Sequence, residues 1–183
     1  MNETDEEIYR RYLENNTEDD FRILFDRHSG NLTLFIKGFV GDIGDAEEIM
    51  IDAFAEAAAG TSAYRAKSSF KTWLFSIGKH LALKHLRRVE TARRHEPDID
   101  GEAAESPEMT LITEERSRRL YQALDSISPE YRQVLYLIFF EEMSVEDAAR
   151  VMGRSRKQIY NLVERGKKAL KKRLEAMGIN DAQ

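Results

Sequence analysis

Cysteine is absent from the 183-residue chain, and proline, glycine and histidine are few. Without cysteine, there can be no disulfide framework and no thiolate ligand for zinc. The four histidines are scattered and show no metal-ligand spacing, so we expect no metal and no other cofactor. Three prolines, ten glycines and the lack of alternating β-branched runs favour an all-α fold without a sheet.

Long apolar runs are missing as well. The first thirty residues begin with an acidic stretch, whereas a targeting segment would be basic and then apolar. No apolar run approaches the roughly 18 residues needed to cross a bilayer. We therefore expect a soluble, cytoplasmic protein without membrane insertion.

The charge that is present alternates in blocks along the chain. Residues 1–60 carry 5 basic and 15 acidic side chains, and residues 61–95 carry 9 basic and 1 acidic. Residues 96–143 are again acidic, with 4 basic and 12 acidic side chains, and residues 144–173 are basic, with 10 and 3. The basic blocks should attract phosphate, while the acidic blocks suit a basic protein partner. The alternative is an ordinary solvated surface, for which mixed signs would be expected.

Helical periodicity predicts a first domain over residues 1–92. Apolar residues at steps of three and four predict a short helix near 6–13 and a long one over 19–39. Asp and Glu after Gly44 predict a third helix that ends near Ala59. Ser69 can cap a fourth helix, in which Trp73 is expected in the core and Phe75 on a face that could touch nucleic acid.

The periodicity disappears over residues 93–110, a polar and acidic stretch that predicts a flexible linker. Beyond it, residues 111–124 and 129–140 have the pattern of two amphipathic helices, the second opened by Ser128 and Pro129. We therefore predict two small helical domains, 1–92 and 111–183, joined by an acidic linker.

The most specific pattern is a helix-turn-helix near the C-terminus. Ser144 can cap a short helix to Met152, Gly153 suits a positive φ in the turn, and Ser155 can cap a basic helix that reaches about residue 176. Small residues lie where the two helices would cross. The outward face of the second helix has the polar character of a major-groove reader. Its candidate DNA-binding side chains are Arg156, Lys157, Gln158, Tyr160, Asn161, Glu164, Arg165 and Lys168. A solvent-exposed hairpin remains the alternative.

Two sets of residues in this sequence resemble a known family. The run from Ile127 to Leu135, followed by Ser144 to Ala149 and by Gly153, resembles the fourth conserved region of sigma factors. Residues 21–25, 41–42, 45–49, 53–54, 69–74 and 86–88 resemble the second region. The short linker in place of a third region is typical of the extracytoplasmic-function group, and the resemblance covers roughly nine-tenths of the chain.

The resemblance implies RNA polymerase core and promoter DNA as partners, and an anti-sigma factor as a further family expectation. It assigns docking on polymerase to the acidic helix, through Asp45, Glu47, Glu48, Ile49 and Asp52. Capping of the helix N-terminus is the alternative role for these carboxylates.

The same resemblance makes the basic fourth helix and its preceding loop the reader of the melted −10 strand, and the helix-turn-helix the reader of the −35 duplex. Cations and flat side chains suit a single strand. The −10 candidates are Tyr64, Arg65, Lys67, Lys71, His80, Lys84, Arg87 and Arg88. The chain departs from the family pattern at His80 and Lys84, where asparagine and aspartate are common, at Ile51 and at Arg154.

Two other classes of function stay open at this stage. A free-standing helix-turn-helix regulator would bind an operator as a symmetric dimer, and a scaffold protein would have no DNA role. We expect no enzyme, because the sequence offers no nucleophile with a base, no glycine-rich phosphate loop and no metal cluster.

Overall fold

The computed structural model describes residues 3–60, 64–95 and 115–179. It is helical without a strand in these ranges, as the sequence predicts. Contacts divide the chain into two compact units, residues 1–102 and 103–183. The predicted linker begins inside a helix that ends at His95, and its remaining residues, 96–110, lie outside the described ranges.

The first unit contains four helices among its described residues: α1 (Asp5–Asn15), α2 (Glu18–Val40), α3 (Ile43–Ala59) and α4 (Phe70–His95). Side-chain caps start several of them, because oxygen atoms accept the first unpaired N–H groups of a helix. Asp42 caps α3 by accepting from the Asp45 amide at 3.0 Å. Ser69 caps α4 by accepting from the Thr72 amide at 3.1 Å.

The core of this unit lies between α2, α3 and α4, with α1 packed against α2 and α4. Its fully buried members are mostly large and apolar, and each of the large side chains contributes about 1.5–3 kcal/mol through burial. They include Leu24, Leu32, Phe35, Ile36, Ala53, Phe70, Leu74 and Phe75. At Gly78 the helices approach closely, since a Cβ there would lie 2.9 Å from Leu32 Cδ1.

Polar contacts fasten α1 to this bundle. The Asp5 carboxylate accepts from Arg27 at 2.8 Å and lies 2.6 Å from His28 Nε2. Arg11 donates to Asp20 of α2 at 2.6 Å. Helix α1 is therefore tied to α2 near its beginning and beyond its middle.

The second unit contains α5 (Glu115–Asp125), α6 (Pro129–Leu135), a π-helical turn (Tyr136–Phe140), α7 (Val145–Met152) and α8 (Arg156–Ala176). The sequence predicts one helix over 129–140, but its last turn is wider than an α-helix. The Glu141 amide donates to the Tyr136 carbonyl at 3.1 Å, a bond to the fifth preceding residue. The Tyr136 and Phe140 rings stack across this turn, with centroids 5.3 Å apart.

Helices α7 and α8 form the predicted helix-turn-helix. Ser144 and Ser155 cap them, and Gly153 in the turn has φ of +64°. Ala148, Ala149 and Ile159 are buried where the helices meet. Gly166 brings α8 close to α6, since a Cβ there would lie 3.2 Å from Leu135 Cγ.

Candidate nucleic-acid interface

Helix α8 keeps its outward face open to solvent. Every side chain that the sequence proposes for duplex reading is exposed, and Tyr160 exposes 55% of its surface. Lys157, Asn161, Glu164 and Lys168 follow one another at steps of three and four, so they form one stripe along the helix. Two helices of this size with a polar outer stripe have the shape of a major-groove reader.

Contacts around the turn fix the start of α8. The Ser155 hydroxyl accepts from the Gln158 amide at 3.3 Å, and the Gln158 side chain accepts from the Ser155 amide at 2.8 Å. Arg156 pairs with Glu146 of α7 at 3.0 Å. Gln158 and Arg156 therefore hold the motif together as well as lying on its face, a double role that periodicity does not reveal.

Arg154, in the turn, connects the motif to another helix of the same unit. Its guanidinium donates to the Glu130 carboxylate at 2.7 Å. This contact ties the turn of the motif to the start of α6, across 24 residues of sequence. A short aliphatic side chain at this position could not make the same bond.

A second cationic surface follows α4. His80, Lys84, Arg87 and Arg88 are exposed and lie at helical spacing on one side of the helix. Lys84, Arg87 and Arg88 line a shallow groove of about 480 Å³. Lys71 is nine residues before His80, or two and a half turns, so it lies on the opposite side and is half-buried.

The loop before α4 lies beside a pocket of about 470 Å³, whose lining includes Tyr64, Ala66 and Ser68. The Tyr64 hydroxyl donates to the Ser68 carbonyl at 2.6 Å, which closes the loop on itself. Ala66 has φ of +51°, a left-handed conformation that costs a non-glycine residue free energy and is frequent at functional loops. The candidate cations Arg65 and Lys67 are both exposed on this loop.

An aromatic cluster supports the pocket from below. The Trp73 ring lies 5.5 Å from Tyr9, 5.2 Å from Tyr64 and 5.8 Å from Phe70, measured between centroids. Trp73 is therefore part of the packing, as its spacing predicts. The expectation for Phe75 is wrong: it is fully buried, with its ring 5.2 Å from Phe35, and cannot meet nucleic acid.

Helix α3 presents the acidic candidates. Glu47, Glu48 and Asp52 are exposed, Asp45 is half-buried, and Ile51 exposes 57% of its surface among them. Ile49 is the exception among the residues assigned to docking. It is only 5% exposed and packs in the core, since the inward face of an amphipathic helix is needed for the bundle. The structure removes Ile49 from this surface.

One contact joins the acidic helix to the basic one. Asp45 Oδ2 of α3 lies 3.2 Å from His85 Nε2 of α4, and both side chains are partly exposed. Helical spacing offers no reason to select His85, because this residue falls between the exposed cations of α4 and the core. Its only signal was the general one that histidine often partners a carboxylate.

The parts of the chain that the structure describes show neither a metal centre nor a membrane span. In residues 3–60, 64–95 and 115–179, no three His, Cys, Asp or Glu side chains are grouped to hold a metal ion. Within the same ranges no helix is both long enough and apolar enough to cross a bilayer.

The fold and these surfaces define a two-unit helical protein with a helix-turn-helix and a second cationic face. Comparison with known families gives this class a name. Residues 24–92 match the family described as Sigma-70 region 2, and residues 117–170 match Sigma-70, region 4. The two matches span more than half of the chain, which therefore belongs to the sigma-70 family as an RNA polymerase sigma factor of the extracytoplasmic-function group.

Curated relatives agree with this assignment. The ECF RNA polymerase sigma factor SigX of Bacillus subtilis is 26% identical over 167 residues, which cover 87% of this chain and 86% of the relative. The RNA polymerase sigma-H factor of Pseudomonas aeruginosa is 29% identical, with 92% and 94% covered. Since the region 2 match accounts for the first unit, the free-standing regulator is not favoured.

Two solved structures share the fold. The sigma factor RpoE, solved in complex with the anti-sigma factor NepR from Bartonella quintana, gives a TM-score of 0.67 at 21% identity and covers 85% of this chain and 97% of its own. CnrH, solved in complex with the cytosolic domain of CnrY, gives 0.65 at 21% identity, with 95% and 99% covered. At this level of identity the likeness establishes the fold alone.

Proposed function

We propose that this sigma factor divides promoter recognition among three helices. Helix α3 docks on core RNA polymerase, α8 enters the major groove of the −35 element, and α4 with its preceding loop holds the melted −10 strand. The chemistry of RNA synthesis belongs to the polymerase, and the chain itself is not an enzyme. Its place of action is the cytoplasm, where polymerase and promoter DNA are found.

The observation that carries this proposal is the presence of a separate exposed cationic face on each unit. On α8 the face is a groove-sized ridge, in which lysines and arginines can meet phosphates while Asn161 and Tyr160 can meet base edges. On α4 the face is a cationic stripe, and a separate pocket lies beside the loop that precedes the helix; together they suit a strand whose bases are unstacked. Solubility alone would not require two cationic faces of such different shape.

The docking role of α3 is supported by charge and by an exposed apolar side chain. Carboxylates at Glu47, Glu48 and Asp52 surround Ile51, so the face combines a polar rim with an apolar centre. Such a combination is typical of protein interfaces. The acidic rim would repel DNA phosphate, so this face is better suited to a basic protein surface than to the promoter.

An anti-sigma factor is the further partner that we propose. The neighbouring structures RpoE and CnrH were each solved with a partner protein, in the first case an anti-sigma factor. The α3 face and the cationic stripes are exposed in this chain, and they are the surfaces that we propose for such a partner. Such a partner would keep the chain from polymerase until released.

Reconstituted transcription tests the division of labour. The full chain is mixed with core polymerase, and initiation is measured on a promoter found by mapping transcription start sites after overexpression. The triple variant Lys157→Ala, Asn161→Ala, Arg165→Ala should bind core normally but lose promoter choice. These positions avoid Gln158 and Arg156, which also hold the motif together.

A charge reversal tests docking separately. The variant Glu47→Lys, Glu48→Lys should lose core binding, whereas Glu14→Lys, Asp26→Lys makes the same charge change at exposed positions outside α3 and should retain it. If the wild-type chain does not bind core polymerase at moderate salt, the proposal fails. Tight, polymerase-independent binding to a palindromic duplex would instead favour a free-standing regulator.

A further inference from the structure

The pocket beside the 64–69 loop has one wall formed by helix α1, which is not part of the cationic stripe on α4. Helix α1 contributes Glu6, Tyr9 and Arg10 to its lining, opposite Tyr64 and Ser68. A carboxylate is unexpected in a site for a nucleic-acid strand, because it repels phosphate. It is well suited, however, to accept a hydrogen bond from the edge of a base.

The position of the Glu6 carboxylate is fixed by the structure. Its Oε1 accepts from the amide of Phe70, the first residue of α4, at 2.8 Å. The positive end of the α4 dipole favours a negative charge at this place. With Oε1 held in this way, the orientation of the carboxylate is defined, and Oε2 provides a second acceptor and no donor.

Arg10 supplies the complementary group. It lies four residues after Glu6 on α1, so both side chains are on one face of the helix. The pKa of the Tyr64 hydroxyl is sensitive to both charges. Burial has the largest effect and raises this pKa, the Glu6 carboxylate raises it further, and Arg10 lowers it. The Glu6 carboxylate, an acceptor, and the Arg10 guanidinium, a donor, therefore both lie near the Tyr64 side chain.

We propose that Glu6 and Arg10 select the base that enters this pocket, and that they favour an amino base over a keto base. Cytosine and adenine present an exocyclic amino donor next to a ring-nitrogen acceptor, which matches Glu6 and Arg10 in turn. Thymine and guanine present a carbonyl oxygen and a ring N–H in these places, the reverse pattern. This inference rests on the proposed capture of the −10 strand by the same loop.

The protein side of the test uses a promoter library randomised across the −10 element, transcribed by core polymerase with the full chain. Wild type should favour cytosine and adenine over thymine and guanine by about tenfold at one position. In Glu6→Gln the amide oxygen can still accept from Phe70, but the amide N–H₂ replaces the second acceptor. The preference at that position should fall below about threefold, the size of a weak base contact.

Glu14→Gln is the matched control, because it makes the same change on α1 at an exposed position that does not line the pocket. It should keep the wild-type preference. Thermal unfolding of both variants checks their folding. An unchanged base preference in folded Glu6→Gln overturns the inference, as does an equal loss of preference in the Glu14 control.

The DNA side of the test leaves the protein unchanged, so it does not depend on folding of a variant. Adenine at the selected position is replaced by purine, which lacks the amino group, or cytosine by 2-pyrimidinone. Initiation by wild type should fall about tenfold, and initiation by Glu6→Gln should change little. An equal fall for both proteins overturns the inference.

The two levels of proposal fail in different ways. If substitutions of Lys84, Arg87 and Arg88 by alanine leave promoter opening intact, the placement of the −10 strand on α4 is wrong, and the inference falls with it. If these substitutions abolish opening while the Glu6 tests give no base-dependent change, only the inference about base selection is wrong.

Discussion

Removing two lysines from the face of α8 should change the salt dependence of promoter binding by a calculable amount. Lys157 and Lys168 are both exposed and lie eleven residues apart, three turns on the same side of the helix and about 16 Å along its axis. In a major groove, side chains at that spacing can meet phosphates at different points along the duplex. We expect each of them to displace about one counterion from DNA.

For the variant Lys157→Ala, Lys168→Ala, the slope of log affinity against log salt should become shallower by about 1.8, or about 0.9 per phosphate contact. Between about 0.05 M and 0.2 M salt, the affinity gap between wild type and the variant should then shrink about twelvefold. At about 0.1 M salt the same relation gives a loss near 60-fold, or about 2.4 kcal/mol, if affinities are equal at 1 M.

The assay is equilibrium binding of the reconstituted holoenzyme to a fluorescent promoter duplex over a salt series. Lys167→Ala is the control for the loss of charge, because the Lys167 ammonium is already engaged 5.3 Å from the Phe139 ring centroid and 3.8 Å from Glu164. This single substitution should change the slope of log affinity against log salt by less than about 0.5. A double variant with the wild-type slope would refute the placement of this face against phosphates.

Three further predictions concern stability and docking. Asp5→Asn should lower the free energy of unfolding by about 1 kcal/mol at pH 7. The hydrogen bond to His28 holds the pKa of the Asp5 carboxyl below its ordinary 3.8, so the stabilisation by this carboxylate is present above about pH 4 and is lost as the pH falls. Urea unfolding of wild type and variant at about pH 7 and about pH 2 checks this, and an equal cost at both would contradict it. Glu142→Gly should stabilise the second unit by about 0.5 kcal/mol in calorimetry, because Glu142 has φ of +53° and glycine relieves the strain, whereas a loss of stability would show the strain to be absent. Ile51→Asp should weaken core binding at least tenfold without lowering the melting temperature, since this side chain is exposed, and unchanged binding would remove it from the docking face.

Capping chemistry and periodicity were sufficient to predict most of the fold. Ser144, Gly153 and Ser155 define α7, the turn and the start of α8, and the structure has all three in these roles. Such signals are local: a cap or a left-handed turn depends on a few consecutive residues. The π-helical turn after Leu135 could not be predicted in this way, because its residues have the same apolar pattern as an α-helix.

The candidate surfaces were predictable only in part. Periodicity predicts which residues share one face of a helix, but it does not predict which other helices cover that face. The sequence predicts Ile49 and Phe75 on exposed faces, yet both are buried, because the bundle covers helices α3 and α4 on more than one side. Glu6 and His85 could not have been selected from sequence. Their partners, the Phe70 amide and Asp45, are 64 and 40 residues away and meet them only in the folded bundle.

The wide turn at Tyr136–Phe140 also defines where this protein can change length. A π-helical turn contains one more residue than the α-helical turn it replaces, and the added residue is accommodated by bonds to the fifth preceding carbonyl. A chain shorter by one residue here could close an ordinary helix and still reach Ser144 without a new loop. A relative that is one residue shorter at this turn should therefore have an ordinary α-helical turn here and leave α7 and α8 intact.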